Sequence, residues 1–89
     1  MIKPGQIYQS CYPTSVVDGK EEYTRIKVLT RPGMSPGLHT YGKVIVATIT
    51  ETGREVRPRP ITLTSLHKTN TTRYGLPRTS GYYLVEDVT

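Results

Sequence analysis

Lys43-Val44-Ile45-Val46-Ala47-Thr48-Ile49-Thr50, then Glu51-Thr52-Gly53-Arg54, then Glu55-Val56-Arg57-Pro58-Arg59-Pro60-Ile61-Thr62-Leu63 reads as strand, tight turn and strand. The first segment carries apolar residues at odd and even positions alike, the pattern of a strand covered on both faces. Gly53 supplies the left-handed backbone that a short bulged hairpin turn needs. Pro58 and Pro60 cannot donate to a ladder, so the returning strand belongs at an edge or is kinked. Helical periodicity is scarce along the chain, whereas short β-branched segments bounded by Gly and Pro recur.

Outward from this hairpin the same grammar continues. Gln6 to Tyr12 alternates, with Ile7 and Cys11 on one face and Tyr8 and Tyr12 on the other. Val17-Asp18-Gly19-Lys20 is a turn, and Tyr23 to Thr30 is a strand with Ile26 and Val28 inward, Arg25 and Lys27 outward. Arg31 to Gly42 holds two prolines and three glycines in twelve residues, which leaves a long exposed loop. Thr64 to Asn70 accommodates a single helical turn around Leu66-His67, Asn70 to Ser80 is polar loop, and Gly81-Tyr82-Tyr83-Leu84-Val85 is a closing strand. The expectation is an all-β domain over residues 1–89: a small SH3-like barrel of about five short antiparallel strands, one long loop and a single helical turn. An OB-like barrel is the second choice. Closure would remove the exposed edges of so small a sheet.

Pro4-Gly5-Gln6-Ile7-Tyr8, Arg25-Ile26-Lys27-Val28, Ile61 with Leu66, and the closing Gly81-Tyr82-Tyr83-Leu84-Val85 together carry a resemblance. In their order the chain resembles the small SH3-like barrel proteins of unassigned function found in actinobacteria and their phages. The resemblance implies the barrel fold and brings no site residues with it.

Size and composition narrow the function classes. A chain of 89 residues buries somewhat over ~60% of its unfolded surface, so its core is thin. All seven large aromatics are tyrosines, which suit a core whose big side chains reach the rim with their hydroxyls. One cysteine, Cys11, excludes an internal disulfide framework. The run Val44 to Ala47 is too short to cross a membrane, and the opening residues do not form an export leader, so a cytoplasmic protein is expected. Cys11, His39 and His67 lie 28 residues apart with no fourth ligand, which argues against a zinc site. Glu21-Glu22 and Glu86-Asp87 are adjacent in sequence and diverge in extended chain, and no thiolate or oxyanion site is prepared. No catalysis and no cofactor is expected.

The net charge of +5 sits in one quarter of the chain. From Arg54 to Arg78 there are six basic residues and one acid, Glu55, while the remaining 64 residues balance six against six. Clustered charge of this kind steers anionic partners. Arg57-Pro58-Arg59-Pro60 resembles the Arg-Gly-Arg-Pro core of an AT-hook, with proline in place of the glycine that lets the backbone approach the minor-groove floor. In an extended strand Arg57 and Arg59 would project to one side. The leading expectation is a non-catalytic nucleic-acid-binding module, DNA or RNA. Arg54, Arg57, Arg59, Lys68, Arg73 and Arg78 would contact phosphates without sequence selectivity, and Tyr74 would be a stacking group. The alternative is a protein-interaction module docking on a host protein, an acidic one for the basic segment, through the 31–42 loop with Met34, Leu38, His39 and Tyr41 as anchors. No membrane or small-molecule substrate is expected in either case.

Overall fold

The computed structural model describes residues 2–30 and 42–88. The expected 31–42 contact loop, with Met34, Leu38, His39 and Tyr41, therefore lies outside the described residues except for Gly42.

The chain is all-β, as its alternation predicts. Eight strands occur among the described residues: β1 (Ile7–Ser10), β2 (Ser15–Val17), β3 (Lys20–Glu22), β4 (Arg25–Val28), β5 (Lys43–Ile49), β6 (Glu55–Thr62), β7 (Leu66–His67) and β8 (Tyr82–Glu86). Six of them form one sheet in the order β6-β5-β4-β1-β8-β7, and β2 and β3 pair only with each other. The helical turn expected around Leu66-His67 is not there: the 3-10 turn is at Leu63–Ser65, and Leu66 and His67 are extended because they pair with Tyr82 and Tyr83 as β7.

Two other expectations need correction. The sheet is open: among the described residues no ladder joins β6 to β7, so it does not close into a barrel. The two edges are nonetheless linked by that three-residue 3-10 turn, which carries the chain from one edge strand straight into the other. The strands also number more than five, and β7 runs parallel to β8. A parallel neighbour requires a crossover, and the fourteen residues from Lys68 to Gly81 supply it.

One face of the sheet makes the core. Tyr8, Ile26, Val28, Val44, Val46 and Leu66 are buried there, with Ile2, Ile61, Leu63, Tyr82 and Leu84 packed against them. Register explains the selection, since Leu84, Tyr8, Ile26, Thr48 and Val56 stand in one row and Val28 and Val46 in the next. Ile26 and Val46 are fully buried, each contributing roughly 1.5–3 kcal/mol. Tyr8 buries its ring and keeps its hydroxyl satisfied by donating to Gln6 Oε1 at 3.1 Å. β5 is paired on both edges, with Val44 and Val46 buried in the core and Ala47, of the opposite parity, buried as well, and proline-bearing β6 is an edge.

The turns follow their residues. Asp18 and Gly19, at φ 51° and 78°, make the two-residue turn that joins β2 to β3. Thr50 to Arg54 forms the bulged turn predicted from Gly53: Gly53 N–H donates to Thr50 O and Thr50 N–H to Arg54 O, each at 2.9 Å.

Candidate functional site

The basic segment divides between the two edges of the sheet. Arg54, Arg57 and Arg59 belong to the β5–β6 turn and β6, whereas Lys68, Arg73 and Arg78 follow β7. In the sheet order four strands lie between those edges.

On β6 the expected common projection of Arg57 and Arg59 fails because the strand is bulged. Val46 pairs with Arg59 but Thr48 pairs with Val56, so Arg57 and Pro58 together oppose Ala47. Arg57 is the extra residue and takes a left-handed φ of 55°. Arg57 is exposed, although Ala47 opposite it is fully buried. Arg59 stands in register with buried Val46 on the core face, where it is half-buried. Its Nη1 donates to Thr48 Oγ1 and to Arg57 O, both at 3.0 Å, so it ties down the bulge carbonyl. Arg59 is committed to the fold. Glu55, the one acid of the segment, pairs with Lys27 at 3.0 Å and is thereby neutralised.

The crossover after β7 is more ordered than a polar loop. Arg78 N–H donates to Asn70 O at 2.8 Å, Thr71 and Pro77 form a bridge, and Thr72 N–H donates to Leu76 O at 2.8 Å. Gly75 N–H closes the tip on Thr72 O at 3.0 Å, with Gly75 at φ 79°. Residues 70–78 are thus a small hairpin arm. Its turn, Thr72-Arg73-Tyr74-Gly75-Leu76, repeats the backbone bonding of Thr50-Glu51-Thr52-Gly53-Arg54, while the threonine Oγ1 accepts from Tyr74 N–H in the first and from Arg54 N–H in the second. The shared Thr-x-x-Gly spacing is the signal by which sequence alone would have revealed this arm.

Arg73 and Tyr74 occupy the tip. Tyr74 is 79% exposed, and the Arg73 guanidinium carbon lies 5.8 Å from its ring centroid. Leu76, 62% exposed, adds apolar surface beside them. Arg78 stands at the root, its Nε donating to Thr69 O at 3.2 Å. It is close enough to His67 and Cys11 to act on both. Burial first and Arg78 second lower the His67 pKa, while burial raises the Cys11 pKa against a smaller opposing pull from Arg78. A thiol held protonated is a small apolar filler rather than a nucleophile. Exposed Lys68 lines the mouth of an open groove of about 460 Å³ between β1, β7 and β8, with His67 and Asp87 also at its wall.

Register places the arm's root and Arg54 on one rim. Tyr83, Gln9, Arg25, Ile49 and Glu55 form a row across five strands, and the chain reverses just beyond it at Gly81, at the β2–β3 ribbon and at Thr50–Arg54. Four inter-strand steps, roughly 19 Å, separate the ends of that row. Arg54 and the arm therefore share a rim without forming one compact cluster. Between them projects the β2–β3 ribbon, exposed throughout and carrying Asp18, Glu21 and Glu22 against Lys20.

No three His, Cys, Asp or Glu side chains are grouped to hold a metal ion among the described residues, and none of their helices is long and apolar enough to cross a membrane. Comparison with known proteins finds no match: no family model, no curated protein and no solved structure matches this chain.

Proposed function

We propose that this protein is a small non-catalytic nucleic-acid-binding module, working through the arm at 70–78 with Lys68 at its base. The observation that carries the reading is an acid-free stretch, 56–85, in which Arg73, Tyr74 and Arg78 ride on a preformed hairpin. Lys68, Arg73 and Arg78 contact phosphates, Arg57 and Arg54 add weaker contacts from the other edge, and Arg59 serves the bulge instead. Binding is independent of sequence, because among the described residues nothing forms a recognition helix for the major groove.

The test is fluorescence anisotropy with labelled oligonucleotides over ~50–300 mM salt. The expected result is micromolar binding with a log–log salt slope near −2 to −4, and loss of at least tenfold in affinity for Lys68→Glu with Arg73→Glu. A second reading, docking on a protein, is favoured by the β2–β3 ribbon, where Val16 and Val17 are exposed on a two-stranded sheet of its own. Absence of any binding at the lowest salt would replace the first reading with the second.

A further inference from the structure

We infer that the arm takes single-stranded nucleic acid, stacking one unpaired base on the open face of Tyr74. This rests on the nucleic-acid reading above and adds the strand class and the group that selects it.

Tyr74 has no packing reason to be where it is. The core draws on the same residue type, burying Tyr8 and packing Tyr82, and a chain with no phenylalanine or tryptophan has few large rings to spare. Yet this ring stands at a hairpin tip, more exposed than the other large apolar or aromatic residues among those described. Arg73 covers one of its faces at 5.8 Å, a cation–π distance, and leaves the other to solvent. A base arriving on that open face completes a sandwich of guanidinium, phenol and base. The cation that steadies the ring also stands beside the phosphates flanking the stacked base.

The choice of single strand follows from what each form of nucleic acid can present. In a duplex every base is already stacked on both neighbours, and reaching one requires kinking or flipping at a cost of a few kcal/mol. In a single strand the face of a base is free, and stacking on an aromatic side chain tolerates any sequence. Charge points the same way. The acidic β2–β3 ribbon springs from the same rim, with Cys11 N–H bonded to Gly81 O at 2.9 Å where its root meets that of the arm. A duplex, carrying one charge per ~1.7 Å of axis, would bring a second strand of phosphates toward Asp18, Glu21 and Glu22. The arm's backbone bonds are already made, so presenting the ring needs little further ordering.

The experiment compares labelled oligothymidylate with the same strand in a duplex, using the full chain at one low salt concentration. Wild type, Tyr74→Ala and Tyr74→Phe are measured, and their thermal unfolding is checked for equality. Tyr74 is exposed and the turn is held by backbone bonds, so all three should fold. The expected result is at least tenfold preference for the single strand. Tyr74→Ala should lower single-strand affinity about tenfold with duplex binding unchanged, and Tyr74→Phe should keep most of it. Equal binding of both forms, or equal weakening of both by Tyr74→Ala, overturns the stacking inference and leaves the phosphate-contact reading standing. No binding of either form overturns that reading and the inference with it.

Discussion

Arg57 holds the least comfortable backbone in the described chain: a large L-residue at φ 55°, in the position of a strand bulge where glycine is the usual occupant. The left-handed conformation costs roughly 1–2 kcal/mol for a residue with a Cβ. Arg59 offsets part of that by donating to the Arg57 carbonyl and to Thr48 Oγ1. Arg57→Gly should therefore stabilise the fold by about 0.5–1 kcal/mol, the relief of strain less the entropy glycine loses on folding. Under the proposed function, the same change should weaken nucleic-acid binding slightly. A urea titration in which Arg57→Gly unfolds at lower midpoint than wild type would refute the strain argument. From sequence, Arg57-Pro58-Arg59-Pro60 is a symmetrical pair of arginines; the bulge makes one an exposed charge and the other a bracket. The alternation rule assumes an unbroken ladder, and no local feature of Arg57 announces the break.

At the scale of elements, the two edges meet the rest of the sheet in different ways. β6 is a bulged antiparallel edge, whereas β7 is a two-residue parallel strand held against β8. That contact depends on Gly81, at φ 79°, where an added Cβ would come within 2.8 Å of Ser65 O and 2.9 Å of His67 Nε2. The carbonyl belongs to the backbone of the 3-10 turn and cannot swing aside. Gly81→Ala should cost about 2–4 kcal/mol, combining a left-handed alanine with a forced separation of β7 from β8. Chemical denaturation would read it, and a loss under 1 kcal/mol would mean that the β7–β8 contact yields easily. Of the strands legible in the sequence, β1 and β4 alternate over several residues, whereas β5, β6 and β8 are marked by β-branched or aromatic runs bounded by turn residues. β2, β3 and β7 are not, since two or three residues are too few to show a period. The 70–78 arm was hidden by its polarity, although its turn chemistry matches that of the hairpin read from Gly53.

Taken whole, the molecule should lose stability in acid through two groups in two windows. His67 has its pKa lowered by burial and then by Arg78, so the folded chain binds that proton less readily than the unfolded one. Its share of stability is present above about pH 6.5 and is lost as pH falls below that value through the lowered folded pKa. Asp87 has its pKa lowered by the hydrogen bond from Gln6 Nε2 at 2.7 Å, then by the Val88 N–H. Its share is present above about pH 3.9 and disappears further down. Melting temperatures from pH 8 to 3 should fall in two stages, and His67→Gln should flatten the first alone. A melting temperature that stays constant between pH 8 and 5 would show that His67 is not linked to folding. Alternation, β-branched residues and turn residues determined by themselves that this chain is all-β, where its main strands lie, which residues of β4 fill the core, and that β6 is an edge or a kinked strand. Those are consequences of period and of proline chemistry, which act within a few residues. Only the tertiary structure decided that the sheet stays open, that β7 lies parallel to β8, that Arg59 folds inward, and that Tyr74 stands out on an arm. These depend on register between strands far apart in the chain, set by how whole faces pack and not by any local run of residues.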